Sequence, residues 1–99
     1  MADFAKIIRE DQRLVILRLL AESPGYASNS SVLTSALEGY GHAPTRDQVE
    51  GHLAWLAEQD LIKTERMGSV IIATITGRGL DVAQGKAKVP GVKQPGPGL

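Results

Sequence analysis

Residues 45–76, with the sequence TRDQVEGHLAWLAEQDLIKTERMGSVIIATIT, decide the fold of this chain. In the first half of this stretch, Val49, Leu53 and Leu56 recur at the i, i+4, i+7 spacing that places side chains on one face of a helix. Thr45 is a good N-cap for that helix, because its hydroxyl can accept a hydrogen bond from the first turn. The pattern therefore predicts an amphipathic helix that begins after Thr45 and buries this aliphatic face.

The second half of the stretch changes from helical to strand periodicity. Two runs of β-forming residues, 62–66 and 70–74, flank Met67-Gly68-Ser69, and Gly68 supplies the backbone dihedral that a hairpin turn requires. A helix over residues 45–60 that leads directly into a two-stranded hairpin is the second half of a winged helix-turn-helix.

The N-terminal region predicts a first helix over residues 3–22. Phe4, Ile7 and Ile8 form an apolar cluster ahead of the main apolar face of this helix. They either continue the same helix or precede a fresh one capped by Asp11. The cluster packs either on a partner subunit or back on its own domain.

The remaining elements complete a domain predicted over residues 1–87. A second helix over 30–40 ends at a glycine, and residues 41–44 form the turn of the helix-turn-helix. A short fourth helix follows the hairpin over 77–86. Residues 88–99 are rich in proline, glycine and lysine and predict a disordered basic tail. The predicted fold class is thus mainly α with a β-hairpin wing: a three-helix core, a two-stranded wing and a short C-terminal helix.

A family resemblance rests on two of these patterns. The first is Val49…His52-Leu53…Leu56…Leu61-Ile62 followed by a charged hairpin, which resembles the recognition helix and wing of small bacterial regulators of the ArsR, MarR and PadR kinds. The second is Thr76-Gly77-Arg78-Gly79, which resembles the turn that ends the wing and starts the last helix in many such domains. The resemblance covers residues 11–87. In length and organisation the chain is also similar to small winged-helix proteins of Mu-like phages and prophages.

Composition limits the classes of function. Ninety-nine residues with 42% hydrophobic side chains suit one small domain with one core. The formal net charge is zero, so there is no global attraction to nucleic acid or acidic membranes. The chain has no cysteine, which excludes disulfides and thiolate metal sites. No apolar run approaches the length of a membrane span, and we expect a cytoplasmic protein.

The sequence offers little for catalysis. His42 and His52 lie on different predicted elements, without the carboxylate or cysteine spacing of a metal site. No nucleophile elbow or phosphate-binding glycine loop occurs. We therefore expect no enzyme activity, no catalytic residue, no cofactor and no bound metal.

The resemblance implies that double-stranded DNA is the partner, read in the major groove by the first turns of helix 45–60. The residues predicted to contact DNA are Thr45, Arg46, Gln48, His52, Lys63, Arg66 and Arg78. Arginine and glutamine can bind guanine and adenine respectively through two hydrogen bonds. A homodimer formed through the N-terminal or C-terminal helix would double these contacts. The chain would then be a small transcriptional regulator.

A second hypothesis comes from the distribution of charge. Residues 44–60 carry a balance of minus three, whereas residues 61–99 carry plus four. An acidic recognition helix favours a winged helix that serves as a phage-encoded protein-interaction or assembly module without a DNA target. Trp55 bears on the choice, because an exposed tryptophan on that helix would indicate a protein interface, whereas a packed one would be structural.

Overall fold

The computed structural model describes residues 3–96. The elements in chain order are α1 (Phe4–Glu22), a short 3-10 turn (Pro24–Tyr26), β1 (Ala27–Asn29), α2 (Ser30–Glu38), α3 (Arg46–Glu58), β2 (Ile62–Met67), β3 (Val70–Ile75) and α4 (Gly77–Ala83). The three helices α1 to α3, the hairpin and the short last helix are those expected from the sequence.

Helix α1 is one continuous helix and the centre of the domain. Asp3 caps it by accepting a hydrogen bond from the backbone N–H of Ala5, so no fresh helix starts at Asp11. Its second half is buried on several sides. Its first turns carry exposed apolar side chains, with Phe4 72% and Ile7 51% exposed. Phe4 and Ile7 therefore do not fold back onto the core, whereas Ile8, the third member of the cluster, is half-buried.

Helices α2 and α3 begin at well-formed caps. The Asn29 side chain accepts hydrogen bonds from the backbone N–H groups of Ser31 and Val32. Thr45 and Gln48 form a reciprocal capping box at the start of α3. The predicted face of α3 is the buried one: Val49, Leu53 and Leu56 are each 0% exposed.

The sheet has three strands, one more than predicted. Strand β3 lies between β1 and β2, and both pairs are antiparallel. Strand β1 covers only Ala27–Asn29, and the chain enters α2 directly after it. The buried hydroxyl of Ser30 accepts a hydrogen bond from the N–H of Ile71 and closes this corner. Three small or polar residues next to a helix cap carry no alternating pattern, so the strand was not expected.

The two ends of the wing are joined at one junction. The Thr76 hydroxyl donates to the carbonyl of Asp60 and accepts from the N–H of Gly79, while the Thr76 N–H donates to the carbonyl of Leu61. A Cβ at Gly79 would overlap the Leu61 carbonyl oxygen and the Ile75 side chain, so only glycine fits. The turn after the wing thus holds the two ends of the hairpin together through hydrogen bonds and close packing.

The C-terminal segment differs from the predicted disordered tail. Val89 is 5% and Val92 9% exposed, and both belong to the core cluster. The N–H of Lys93 donates to the carbonyl of Glu10, which ties the segment to α1. The prediction for residues 88–99 is therefore wrong up to residue 96, and its remainder lies outside the described residues. Helix α4 ends at Ala83, three residues earlier than expected.

None of the helices within residues 3–96 is both long and apolar enough to cross a membrane.

Truncation of the α3 face tests this core. We expect Leu53→Ala to lower the free energy of unfolding by about 2–5 kcal/mol, because it leaves a cavity in a fully enclosed site. Val32→Ala, at a side chain 54% exposed on α2, is the control and should change it by less than about 0.5 kcal/mol. Urea unfolding followed by circular dichroism measures both. Equal effects would mean that the buried face of α3 is misassigned.

Candidate nucleic-acid interface

The first turn of α3 lies beside the tip of the wing. The guanidinium of Arg46 donates a hydrogen bond to the carbonyl of Ser69, in the two-residue turn that joins β2 and β3. Gly68, with φ +61°, allows that turn. The hairpin therefore runs back along α3, and its tip and the N-terminal end of the helix form one surface.

Two arginines of this surface share one carboxylate. Glu50 lies 3.9 Å from Nε of Arg46 and 3.5 Å from Nη2 of Arg66. Both arginine side chains are more than a third exposed, so each pair contributes at most about 1 kcal/mol. Nε of Arg46 has no hydrogen-bond partner among the described residues. The arginines are held near the helix N-terminus by weak contacts that a phosphate or base could replace.

The capping box limits what Gln48 can do. Its side-chain oxygen accepts from the backbone N–H of Thr45 at 2.9 Å, and the Thr45 hydroxyl accepts from the N–H of Gln48 at 3.1 Å. Recognition of adenine by glutamine uses both the amide oxygen and the amide N–H. Gln48 would have to share its oxygen with the cap, whereas its N–H donors have no other partner among the described residues.

His52 faces inward and is unavailable for the base contact predicted from the sequence. It is 8% exposed. Nδ1 accepts a hydrogen bond from Nε of Arg13 at 3.2 Å, so the ring proton is on Nε2, which donates to the side-chain oxygen of Gln12 at 2.9 Å. Burial, and then the positive charges of Arg13, Arg9 and His42, lower the pKa of His52 from 6.5 to about 4. It is a neutral link between α1 and α3.

Of the remaining predicted residues, Arg66 shares the α3–wing surface, whereas Lys63 and Arg78 do not. Side chains alternate between the faces of a strand, so Lys63 and Arg66 project from opposite faces of β2. Arg66 is on the face towards α3, since it pairs with Glu50. Arg78 donates to the carbonyl of Gln59, just beyond the last residue of α3. That position is about 20 Å along the helix from Arg46. The structure thus brings together Thr45, Arg46, Gln48 and Arg66.

The solvent-facing side of α3 carries no basic group. Asp47, Gly51, Ala54 and Glu58 follow at i, i+4, i+7 and i+11, and all four are exposed. This stripe combines two carboxylates with two small residues. A DNA backbone would be repelled along most of it, so only the N-terminal end of the helix is favourable for phosphate.

Trp55 is partly buried and packs against the edge of the core. The guanidinium of Arg13 lies 4.0 Å from its ring centroid, and the C-terminal segment covers it at Gly91. Gly91 has φ +101° and leaves no room for a Cβ against the indole ring. Arg13 also donates to the carbonyl of Gly91 at 3.1 Å. Trp55 therefore joins α1, α3 and the C-terminal segment, and gives no support to an exposed interface.

The sequence interpretation missed Glu50 and Arg13 as parts of the site. Glu50 follows Arg46 by four residues on a predicted helix, a spacing that indicates an ion pair. Arg13 lies 39 positions before His52 in the chain, and no local pattern indicates that contact.

The buried His52 makes stability depend on pH. Its pKa is about 4 in the native state and near 6.5 when unfolded, so between these values the unfolded chain binds a proton that the native state does not. Stability from this residue is complete above about pH 6.5 and is lost as the pH falls towards 4. We expect wild type to lose more stability between pH 7 and pH 5 than His52→Gln, whose amide keeps an acceptor for Arg13.

Urea midpoints at the two pH values measure this difference. All other titratable groups are the same in both proteins, so their contributions cancel in the comparison. An equal loss in wild type and variant would show that His52 is already protonated or solvated in the native state.

The chain has close relatives in a phage and in a bacterium. It is 48% identical over 91 residues to uncharacterized protein gp26 of Escherichia phage Mu, which covers 92% of this chain and 94% of gp26. It is 42% identical over 93 residues to an uncharacterized protein of Haemophilus influenzae, which covers 88% of this chain and 90% of that protein. No protein-family model matches the chain. The chain belongs to the family of phage Mu gp26.

Two solved structures have a similar fold. AbsC, a MarR family transcriptional regulator from Streptomyces coelicolor, matches with a TM-score of 0.60 and 21% identity over 73% of this chain and 47% of AbsC. RosR of H. salinarum matches with a TM-score of 0.64 and 20% identity over 74% of this chain and 66% of RosR. The chain thus spans about half of AbsC. At these identities the likeness establishes the fold alone, and the predicted winged helix is confirmed.

Proposed function

We propose that this member of the gp26 family binds double-stranded DNA, with the first turn of α3 in the major groove and the tip of the wing on the neighbouring backbone. The observation that carries the proposal is the placement of Arg46 and Arg66 on one surface, at the helix N-terminus and the wing tip. The fold shared with MarR-type regulators supports this docking. The biological role we infer is that of a small transcriptional regulator.

Each residue of the surface has a distinct role in this proposal. Arg46 lies nearest the base edges and can reach guanine through two hydrogen bonds once it leaves Glu50. Thr45 and Arg66 contact phosphates on either side, and the exposed Lys63 adds a phosphate contact from the other face of the wing. Glu50 opposes binding, because its carboxylate competes with phosphate for both arginines. With so few cations, one protomer should bind weakly and with strong dependence on salt.

Fluorescence anisotropy of a labelled mixed-sequence duplex, at two salt concentrations, tests the interface. We expect Arg66→Ala to weaken binding at all sequences and to reduce the salt slope by about 1, since it removes one phosphate contact. Arg46→Ala should cost about 1–3 kcal/mol on a selected sequence. Glu50→Gln should strengthen binding, because it frees two arginines.

Arg78→Ala is the matched control, since this arginine lies at the far end of α3. It should leave the affinity unchanged. If Arg78→Ala weakens binding as much as Arg66→Ala, the docking surface is placed wrongly. Binding that none of the four variants alters would overturn the proposal for these residues.

The acidic stripe of α3 favours a second candidate function. The carboxylates of Asp47 and Glu58, with Gly51 and Ala54 between them, suit a basic protein partner better than DNA. In that case the winged helix is a phage-type interaction or assembly module. Absence of any DNA binding by the folded protein at low salt decides for this function and against the first.

We also propose a homodimer formed through the projecting end of α1. Phe4 and Ile7 are large apolar side chains, 72% and 51% exposed, one helical turn apart. A two-fold dimer would cover them and double the DNA contacts.

Light scattering after gel filtration tests the dimer. We expect the wild type to be dimeric and Phe4→Glu to be monomeric, because a charge at the interface would have to be desolvated. Val32→Glu, at an exposed apolar residue on α2, should remain dimeric. A dimer that persists in Phe4→Glu excludes this face.

A further inference from the structure

An open groove of about 570 Å³ lies between the N-terminal half of α1 and α3, beside the turn that joins α2 to α3. The wing contacts the edge of α3 that holds Arg46 and Glu50, whereas the groove borders the edge that holds Gln48 and His52. The groove therefore meets the surface proposed for DNA at Gln48 but includes neither Arg46 nor Arg66. Its polar walls come from Arg9, Gln12, Arg13, His42, Gln48 and His52.

The side-chain acceptors of Gln12, Gln48 and His52, which border the groove, are already used inside the protein. The side-chain oxygen of Gln12 accepts from His52, and that of Gln48 accepts from the N–H of Thr45. Nδ1 of His52 accepts from Arg13. Both glutamines thus keep amide N–H donors without another partner among the described residues. The groove presents mainly donors and suits a ligand rich in acceptors.

The groove also holds positive charge that is not neutralised: the Asp11 carboxylate lies 2.7 Å from Nε2 of His42, but Arg9 and Arg13 have no such partner among the described residues. Arg9 and Arg13 are four residues apart on α1, so their guanidinium groups lie on the same face and repel each other. Neither forms an ion pair with any residue in the described range, and none of the lining residues is acidic. Arg13 instead contacts neutral groups: His52, the Gly91 carbonyl and the Trp55 ring.

The directions in which the pKa values of Arg13 and His52 are shifted agree with this excess of positive charge. Burial, and then the charge of Arg9, lower the pKa of Arg13, while Glu10 acts in the opposite direction. The two arginines also hold His52 in its neutral form, after burial itself. An anion in the groove would relieve the repulsion between the arginines.

We propose that this groove binds a small organic anion through its phosphate or carboxylate group. The oxygens of the anion would accept hydrogen bonds from Arg9, Arg13 and the Gln48 amide, in the bidentate manner that guanidinium groups favour. Ile8 and Pro44 supply an apolar wall for the rest of the ligand. The site uses neither Arg46 nor Arg66, the two residues that carry the DNA proposal, and shares only Gln48 with that surface.

Trp55 gives a direct readout, since it is the one tryptophan of the chain and stacks on Arg13. We would titrate the full chain with inorganic phosphate and with acetate at constant ionic strength, with chloride as the reference salt. The expected result is a saturable change in Trp55 fluorescence with at least one of the two anions, together with a rise in thermal midpoint. Neither change should occur with chloride.

Arg9→Gln is the informative variant, because Arg9 is exposed and should not be needed for folding. It should weaken binding about tenfold or more, as expected for the loss of a charged hydrogen bond. Arg18→Gln, on the same helix but outside the groove, is the matched control and should bind as wild type does.

Three results would overturn the proposal. The first is a response to chloride equal to that for phosphate and acetate, and the second is equal affinity of Arg9→Gln and wild type. The third is that Trp55 fluorescence responds to a short DNA duplex but to neither phosphate nor acetate, and that Arg9→Gln abolishes this response. That result would make the groove a contact for the DNA backbone. If Arg46 and Arg66 prove not to bind DNA, the anion titrations of wild type, Arg9→Gln and Arg18→Gln can still be interpreted. The two proposals can therefore fail separately.

Discussion

The structure depends on the junction where the two ends of the wing meet. Thr76 bonds to the carbonyls of Asp60 and Leu61, and Gly79 packs so closely on Leu61 that no side chain can replace its hydrogen. This junction fixes the direction in which the hairpin leaves α3. Because the hairpin then runs back along the helix, its tip reaches Arg46 at the other end. The contacts of Thr76 and Gly79 thus determine how the wing tip meets the N-terminal end of α3, although they lie at the opposite end of the hairpin.

Electrostatics divides the surface of α3 into unlike parts. At the wing-side edge Glu50 pairs with Arg46 and with Arg66 of the wing, and the solvent side carries two carboxylates. The edge towards α1 faces Arg9 and Arg13 of that helix, which form no ion pair with any described residue. A net charge of zero conceals this division. Local charge decides where an anion can approach, since exposed charges farther apart than about 10 Å are largely screened. The domain therefore favours phosphate at one end of α3 and disfavours it along the middle.

Much of the fold could be predicted from the sequence, because caps and periodicity are local signals. Thr45 with Gln48, and the spacing of Val49, Leu53 and Leu56, indicated α3 and its buried face. Strand β1 could not be predicted, since its pairing with β3 is set by tertiary packing. The C-terminal segment was misjudged because proline and glycine dominate its composition, while the two valines that enter the core are few.

The candidate site was less predictable than the fold, because it depends on orientation. Arg46 and Arg66, both predicted to contact DNA, lie on one surface. His52 has a polar side chain beside the apolar stripe, and only its contacts with Gln12 and Arg13, across some forty positions, turn it inward. Lys63 and Arg66 are three residues apart, which puts them on opposite faces of a strand.

The return of the C-terminal segment to α1 has a consequence for the order of folding. Lys93 contacts Asp11, and Arg13 contacts Gly91, across separations of 82 and 78 positions. Contacts across so long a loop pay more closure entropy than those within the hairpin or between α2 and α3. The helix-turn-helix and the wing can therefore form first, with the segment docking last. We expect the same segment to detach first when the native state opens, and its loss would uncover the face of the Trp55 indole that Gly91 covers.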